Sequence, residues 1–163
     1  MLAVWSGHAG LVDEAAVTAL LALAGQWPVA AAEALDEARA LRTALYACLT
    51  DPGDRAAFAT VAGFAQEAAR LAVLHAEPDG LARWRIPVRA AGLRLPALAA
   101  AHAAAELLTD ARRHLVRACA SPRCGWLFLD ESGRRRWCSL ATCGADAALR
   151  RACGAPAGRP KGP

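Results

Sequence analysis

The chain has almost no lysine. Of its nineteen cationic side chains only Lys161 is one; the rest are arginine. A genome-wide base-composition bias is enough to produce that, so it excludes nothing by itself. Long apolar runs are also missing. The longest stretch, Pro96 to Leu108, is too short to span a bilayer and is interrupted by His102 and Glu106. A secretory signal is not visible either. The opening Met1-Leu-Ala-Val-Trp-Ser carries no basic stretch, and Asp13 and Glu14 break the apolar segment that follows. These absences predict a cytoplasmic protein with no membrane association. In that compartment, paired cysteines more often bind metal or do redox chemistry than form structural disulfides. Redox chemistry favours C-x-x-C in a βαβ context, and no C-x-x-C occurs. The four histidines, His8, His75, His102 and His114, do not cluster. An enzyme is therefore not expected. No internal repeat is seen.

What is present is a globular composition. The 163 residues are 56% hydrophobic, with alanine heavily used. That length suits one ordinary core plus a small appended module, and alanine favours helix because it gives up no side-chain entropy there. Charge is uneven. Residues 1–110 hold eight arginines against twelve acidic residues. Residues 111–163 hold ten arginines and Lys161 against Asp130, Glu131 and Asp146. A mildly acidic body with a basic C-terminal third points to a polyanion partner; a solvated basic surface is the plain alternative.

Punctuation residues divide the first two thirds into helices. Asp13 reads as an N-cap for a segment carrying Val17, Leu20, Leu21 and Ala24, stopped at Gly25. Pro28 suits the first turn of a second helix. Asp51-Pro52 reads as the opening of a third, with Phe58, Val61, Ala62 and Ala65 as its buried stripe. Glu77-Pro78-Asp79-Gly80 lies between apolar runs and predicts a hairpin. Pro96 opens another helix through Leu108, and Thr109 or Asp110 caps a short segment from Ala111 to Arg117. The fold expected is a mainly α N-terminal domain with one β-hairpin (α+β), residues 1–114. A small zinc-finger-like module follows over 115–152, then a disordered basic tail over 153–163.

The chemistry lies in Cys119, Cys124, Cys138 and Cys143. Two C-x4-C pairs separated by thirteen residues have the spacing of a four-thiolate zinc site. The spacer reads as a hairpin: strand Trp126–Leu129, turn Asp130–Gly133, and Arg134–Trp137 leading to the second pair. Trp126, Phe128 and Trp137, together with metal, would stand in for a conventional core. A helix from Ala145 to Ala152 completes a treble-clef-like arrangement. Four thiolates leave no open coordination position, so the expected site is structural, with one Zn2+. Two disulfides, or unliganded thiols, are the alternatives. Cys48 reads as a core residue and Cys153 as a bystander thiol.

The strings Cys-Gly-Trp-Leu-Phe-Leu-Asp, starting at Cys124, and Arg-Arg-Trp-Cys-Ser, starting at Arg135, resemble the CGNR zinc finger family. Upstream, Leu41-Arg-Thr-Ala-Leu-Tyr46 and Ala104-Ala-Glu-Leu-Leu108 are similar to the ABATE domain that accompanies this finger in bacterial proteins regarded as stress-induced transcriptional regulators. The resemblance implies zinc on the four cysteines and a DNA-binding transcriptional regulator. The proposed contacts are the arginines around the second pair: Arg134, Arg135 and Arg136 in the hairpin, Arg150 and Arg151 in the helix. Duplex DNA is the partner it implies. For the first domain, a pocket between the helices and the hairpin, near Trp84, Arg83 and Arg85, is the expected place for a small-molecule effector, with a protein partner as the other option. A homodimer is a further expectation, since bacterial regulators often dimerise. Three departures stand out, one being that the family's N-terminal Asn-Thr-containing segment has no match before residue 9. The family's Cys-Gly-Asn-Arg is Cys143-Gly144-Ala145-Asp146 here, and the hairpin turn is shortened to Glu131-Ser-Gly-Arg134. The other functional reading is a protein-interaction or RNA-binding module with structural zinc, using an exposed Trp126 or Phe128 as a docking or stacking surface.

Overall fold

A computed structural model describes residues 1–146 and Ala148. The chain divides into two compact units, Met1–Asp110 and a second from Ala111 onward. Among the described residues no helix is long and apolar enough to cross a membrane.

The first unit is helical. Its elements are α1 (Leu2–His8), α2 (Glu14–Gln26), α3 (Pro28–Thr50), α4 (Arg55–Leu71), the hairpin β1 (Val73–Ala76) and β2 (Ala82–Arg85), α5 (Val88–Ala91) and α6 (Leu95–Thr109). A single 3-10 turn, Gly92–Arg94, joins the last two. Asp13 caps α2 as its position predicts, accepting the Ala16 N–H at 2.8 Å. Helix α3 begins at Pro28, where a missing N–H costs nothing.

Three local readings need correction. The helix after α3 does not open at Asp51-Pro52. The residue before proline is pushed out of the helical region, and Asp51 is extended, accepting the Gly53 N–H in a tight turn. Asp54 is the cap instead, bonded to the Ala57 N–H at 2.8 Å. The buried face of α4 also differs from the expected stripe. Ala57, Val61 and Ala68 face inward, while Phe58 is exposed. Helix α2 also runs one residue past Gly25, to Gln26. Helix α1 was not anticipated, being one short stretch ahead of the first clear cap. Its Gly7 is needed by a neighbour: a Cβ there would stand 2.7 Å from Val17 Cγ2 on α2.

The core is built mostly of small residues. Leu41 and Cys48 from α3, Ala57 and Val61 from α4, and Ala97 and Ala101 from α6 form one buried cluster. Alanines on facing helices let backbones approach closely, and the larger Leu20, Leu95 and Leu98 fill the remaining space. Arg94 ties the outside of this packing together. Its guanidinium donates to Glu37 on α3 and to both Glu67 carboxylate oxygens on α4, over the Phe64 ring.

The first hairpin forms where Glu77-Pro78-Asp79-Gly80 predicts. Leu74 faces Trp84 and His75 faces Arg83, and Gly80 takes a φ of +83° in the loop. Both strands are exposed. Arg85 anchors them, bonding Glu77 and reaching Asp13 at 2.9 Å.

The second unit starts with a 3-10 segment, Ala111–Leu115, then β3 (Val116–Ala118) and β4 (Leu127–Leu129). Here the expected spacer hairpin is replaced by another pairing. Strand β4 pairs antiparallel with β3, Arg117 opposite Phe128, so the strands flank the first cysteine pair. Residues 134–137 form no strand. The turn at Asp130–Gly133 is present, with Gly133 at a φ of +66°. Within it the buried Asp130 carboxylate accepts the Ser132 hydroxyl at 2.8 Å and the Arg135 N–H at 3.2 Å. That draws the Arg135 N–H away from any ladder. Ala145 and Asp146 are helical; the rest of the expected 145–152 helix, apart from Ala148, and the tail lie outside the described residues.

Candidate metal centre

The first knuckle, Cys119 to Cys124, hangs from β3. Its turn closes through the Cys124 N–H to Ser121 O at 2.9 Å, and Cys119 N–H bonds Trp126 O at 3.0 Å. The second pair sits at a wide helical turn, Leu140–Gly144. Ser139 caps it by accepting the Thr142 N–H at 3.3 Å. One further bond joins the two segments, Ala120 N–H to Arg136 O at 2.9 Å.

These elements bring the four cysteine sulfurs within 4.8 Å of one another. Cys138 Sγ lies 3.7 Å from Cys124 Sγ and 3.7 Å from Cys143 Sγ. A tetrahedron with Zn–S bonds of about 2.3 Å has edges of about 3.8 Å. The separation is far from the roughly 2.05 Å of a disulfide, and all four thiols are free; Cys48 is buried in the helical core. The disulfide alternative is therefore set aside. Cys153 lies outside the described residues.

Without a cation the cluster resists full ionisation. At Cys119 burial pushes the thiol up, but the Cys138 N–H, 3.5 Å from its sulfur, and the backbone at Ser121 bring it down to about 7. Burial and the sulfurs of Cys124 and Cys143 push Cys138 up to about 12. Cys143 is raised as well, chiefly by the Cys124 sulfur. The Cys119 thiolate is stabilised, while Cys138 and Cys143 are biased toward the protonated form. A divalent cation reverses that balance by supplying the charge that lets all four ionise.

The chemistry of the donors fits zinc, and four sulfurs close its shell. Residues 116–155 match the model of the CGNR zinc finger. No curated protein matches the chain. The matched segment begins at Val116, the first residue of β3, so the strand ahead of the first cysteine falls inside the stretch that is similar to the CGNR zinc finger. The four cysteines make one structural zinc site within it.

Around this centre the arginines differ in what they touch. Arg135 lies 4.7 Å from the Phe128 ring centroid and donates to Leu129 O at 3.3 Å and Cys138 O at 2.8 Å. Arg136 stacks over Trp137 at 5.4 Å. Arg134 is exposed at the turn. Arg150 and Arg151 lie outside the described residues. Phe128 and Trp137 are half-buried, as a packing role requires, whereas Trp126 is 71% exposed. Trp126 therefore does little as a core residue.

Sequence reasoning passed over Arg123, which precedes the ligand Cys124. Its Nη2 meets Asp146 Oδ2 at 3.2 Å. Asp146, the last residue of the Cys143-Gly144-Ala145-Asp146 string, therefore pairs with the opposite knuckle.

Proposed function

We propose that the chain is a zinc-finger DNA-binding transcriptional regulator whose C-terminal unit meets duplex DNA with its arginines. The supporting observation is the charge of the zinc-held segment: residues 111–146 carry seven arginines against Asp130, Glu131 and Asp146. In this reading Arg134 and Arg136 contact phosphates from the spacer, Arg150 and Arg151 from the following helix, and Arg135 braces the finger. Phosphate contacts position a protein without specifying sequence. The finger is treble-clef-like, and its zinc is structural, so no catalysis is proposed. The first unit is an ABATE-like domain that senses a small-molecule effector or a protein partner, in a cytoplasmic homodimer.

The test is a duplex-DNA titration of zinc-loaded protein at several salt concentrations. With four to five phosphate contacts the log–log slope is expected at roughly −4. A flat salt response rejects the reading. The exposed Trp126 favours the second reading, a module that stacks single-stranded RNA or docks a protein. Tighter binding to single-stranded RNA than to duplex DNA, lost in Trp126→Ala, would select it.

A further inference from the structure

We infer that Arg123 is a base-reading residue of this finger and that Asp146 positions it. The inference rests on the duplex-DNA reading above and assigns a specificity element to it.

The two residues stand on segments that the metal holds. Arg123 is adjacent to the ligand Cys124, and Asp146 is three residues beyond the ligand Cys143. Their side chains meet at 3.2 Å across the cluster, and both are open to solvent, Arg123 at 76% and Asp146 at 49%. An ion pair so exposed adds little to stability, because water and salt screen it. Its main consequence is conformational. It biases a long side chain toward the rotamers that bring one end of its guanidinium to Asp146, above backbone that the cysteine cluster organises.

Arg117, Arg135 and Arg136 lack this combination, and Arg134 stands exposed at the turn with no acid against its guanidinium among the described residues. Arg135 is spent on two carbonyls and a ring, and Arg136 lies on Trp137. Arg117 donates to His114 O and Val116 O. Arg123 is tethered through Nη2 to an acid and keeps donor N–H groups beyond that contact. An oriented arginine fork matches guanine O6 and N7 in the major groove, the commonest specific protein–DNA contact. Arg123 and Asp146 also border the same shallow groove beside the cysteine cluster, with Ser139 and Thr142 supplying further hydroxyls.

The geometry gives Asp146 an effect opposite in kind to that of a misplaced acid. A carboxylate facing phosphates would weaken binding to every duplex equally, and its removal would tighten all of them. A carboxylate orienting Arg123 sharpens discrimination, and its removal blunts it.

The experiment is a binding selection from a randomised duplex pool with the zinc-loaded full chain. The preferred duplex and a single-base-pair variant at its most constrained G·C pair are then titrated against wild type, Arg123→Ala, Arg123→Lys and Asp146→Asn. Zinc content and thermal melting of each variant check the fold. Wild type is expected to prefer the selected duplex by roughly 5- to 100-fold. Arg123→Ala and Arg123→Lys should lose most of that ratio, the lysine variant while keeping its salt slope. Asp146→Asn should reduce the ratio without tightening the selected duplex. If wild type binds no duplex, the functional reading fails and this inference falls with it. If wild type binds but selects no sequence, or Arg123→Ala keeps the full ratio, only this inference is overturned. The same holds if Asp146→Asn tightens all duplexes equally with the ratio unchanged.

Discussion

The guanidinium of Arg135 lies over the Phe128 ring at 4.7 Å and donates to the carbonyl oxygens of Leu129 and Cys138. It thereby links strand β4 to the backbone of a zinc ligand. A planar fork makes both contacts at once; a lysine ammonium would not. Arg135→Ala should destabilise the finger by about 1–2 kcal/mol, from one cation–π contact and charge-assisted bonds on an open surface. Arg135→Lys should recover little of it. Arg134→Ala, at an exposed turn, should leave stability within about 0.5 kcal/mol and lower the DNA salt slope by roughly one. Chelator-challenge melting, read beside duplex titration, separates the two effects.

Zinc removal should affect the two units differently. Binding energy at a closed thiolate site is folding energy for a module this small, whereas the helical unit draws on its own core. A strong chelator should abolish the near-ultraviolet signal of half-buried Trp137 while far-ultraviolet helicity changes little. Cys124→Ser should reproduce that state without chelator. Metal analysis of the untreated protein should give one zinc per chain.

Zinc affinity should fall as pH falls below neutral. In the metal-free cluster the Cys119 thiol ionises near 7, and Cys138 holds its proton to about 12. Zinc must displace the proton at Cys138, and more protons must be displaced as the solution becomes more acidic. Lower pH therefore favours the apo state and higher pH the bound state. Calorimetry in buffers of different ionisation enthalpy should register net proton release, and competition titrations should show weaker zinc at pH 6 than at pH 8.

Small residues line the buried faces of α4 and α6. Ala68 and Ala101 are fully buried. Ala101→Leu should cost about 1–3 kcal/mol through overpacking, and Leu98→Ala about 2–5 kcal/mol through a cavity. Arg94→Ala should cost about 1–2 kcal/mol, since it leaves Glu37 and Glu67 facing each other's elements without their shared cation. Thermal denaturation of the variants would rank the three.

Caps, prolines and cysteine spacing were legible in the sequence because their effects are local. Asp13, Pro28, the Glu77–Gly80 loop and the four thiols all act as their residue types dictate. What was misread depended on competition between neighbours. Asp51 and Asp54 both suit a cap, and proline decided between them by restricting the residue before it. The buried face of α4 was set by packing of Ala57, Val61 and Ala68, which leaves Phe58 at the surface. In the finger, the apolar run Leu127–Leu129 announced a strand but not its partner. Asp130, by engaging Ser132 and Arg135, removed the nearer candidate and left β3. The Arg123–Asp146 contact spans two knuckles and has no periodicity or motif to signal it.

Because β4 pairs with a strand that precedes Cys119, the eight residues from Ala111 to Ala118 carry a protective duty. A proteolytic cut just ahead of the first cysteine would spare every zinc ligand. It would also strip the cover from one side of Leu127-Phe128-Leu129 and bare an apolar edge able to template pairing with another chain. Such a fragment would keep its metal and lose its solubility.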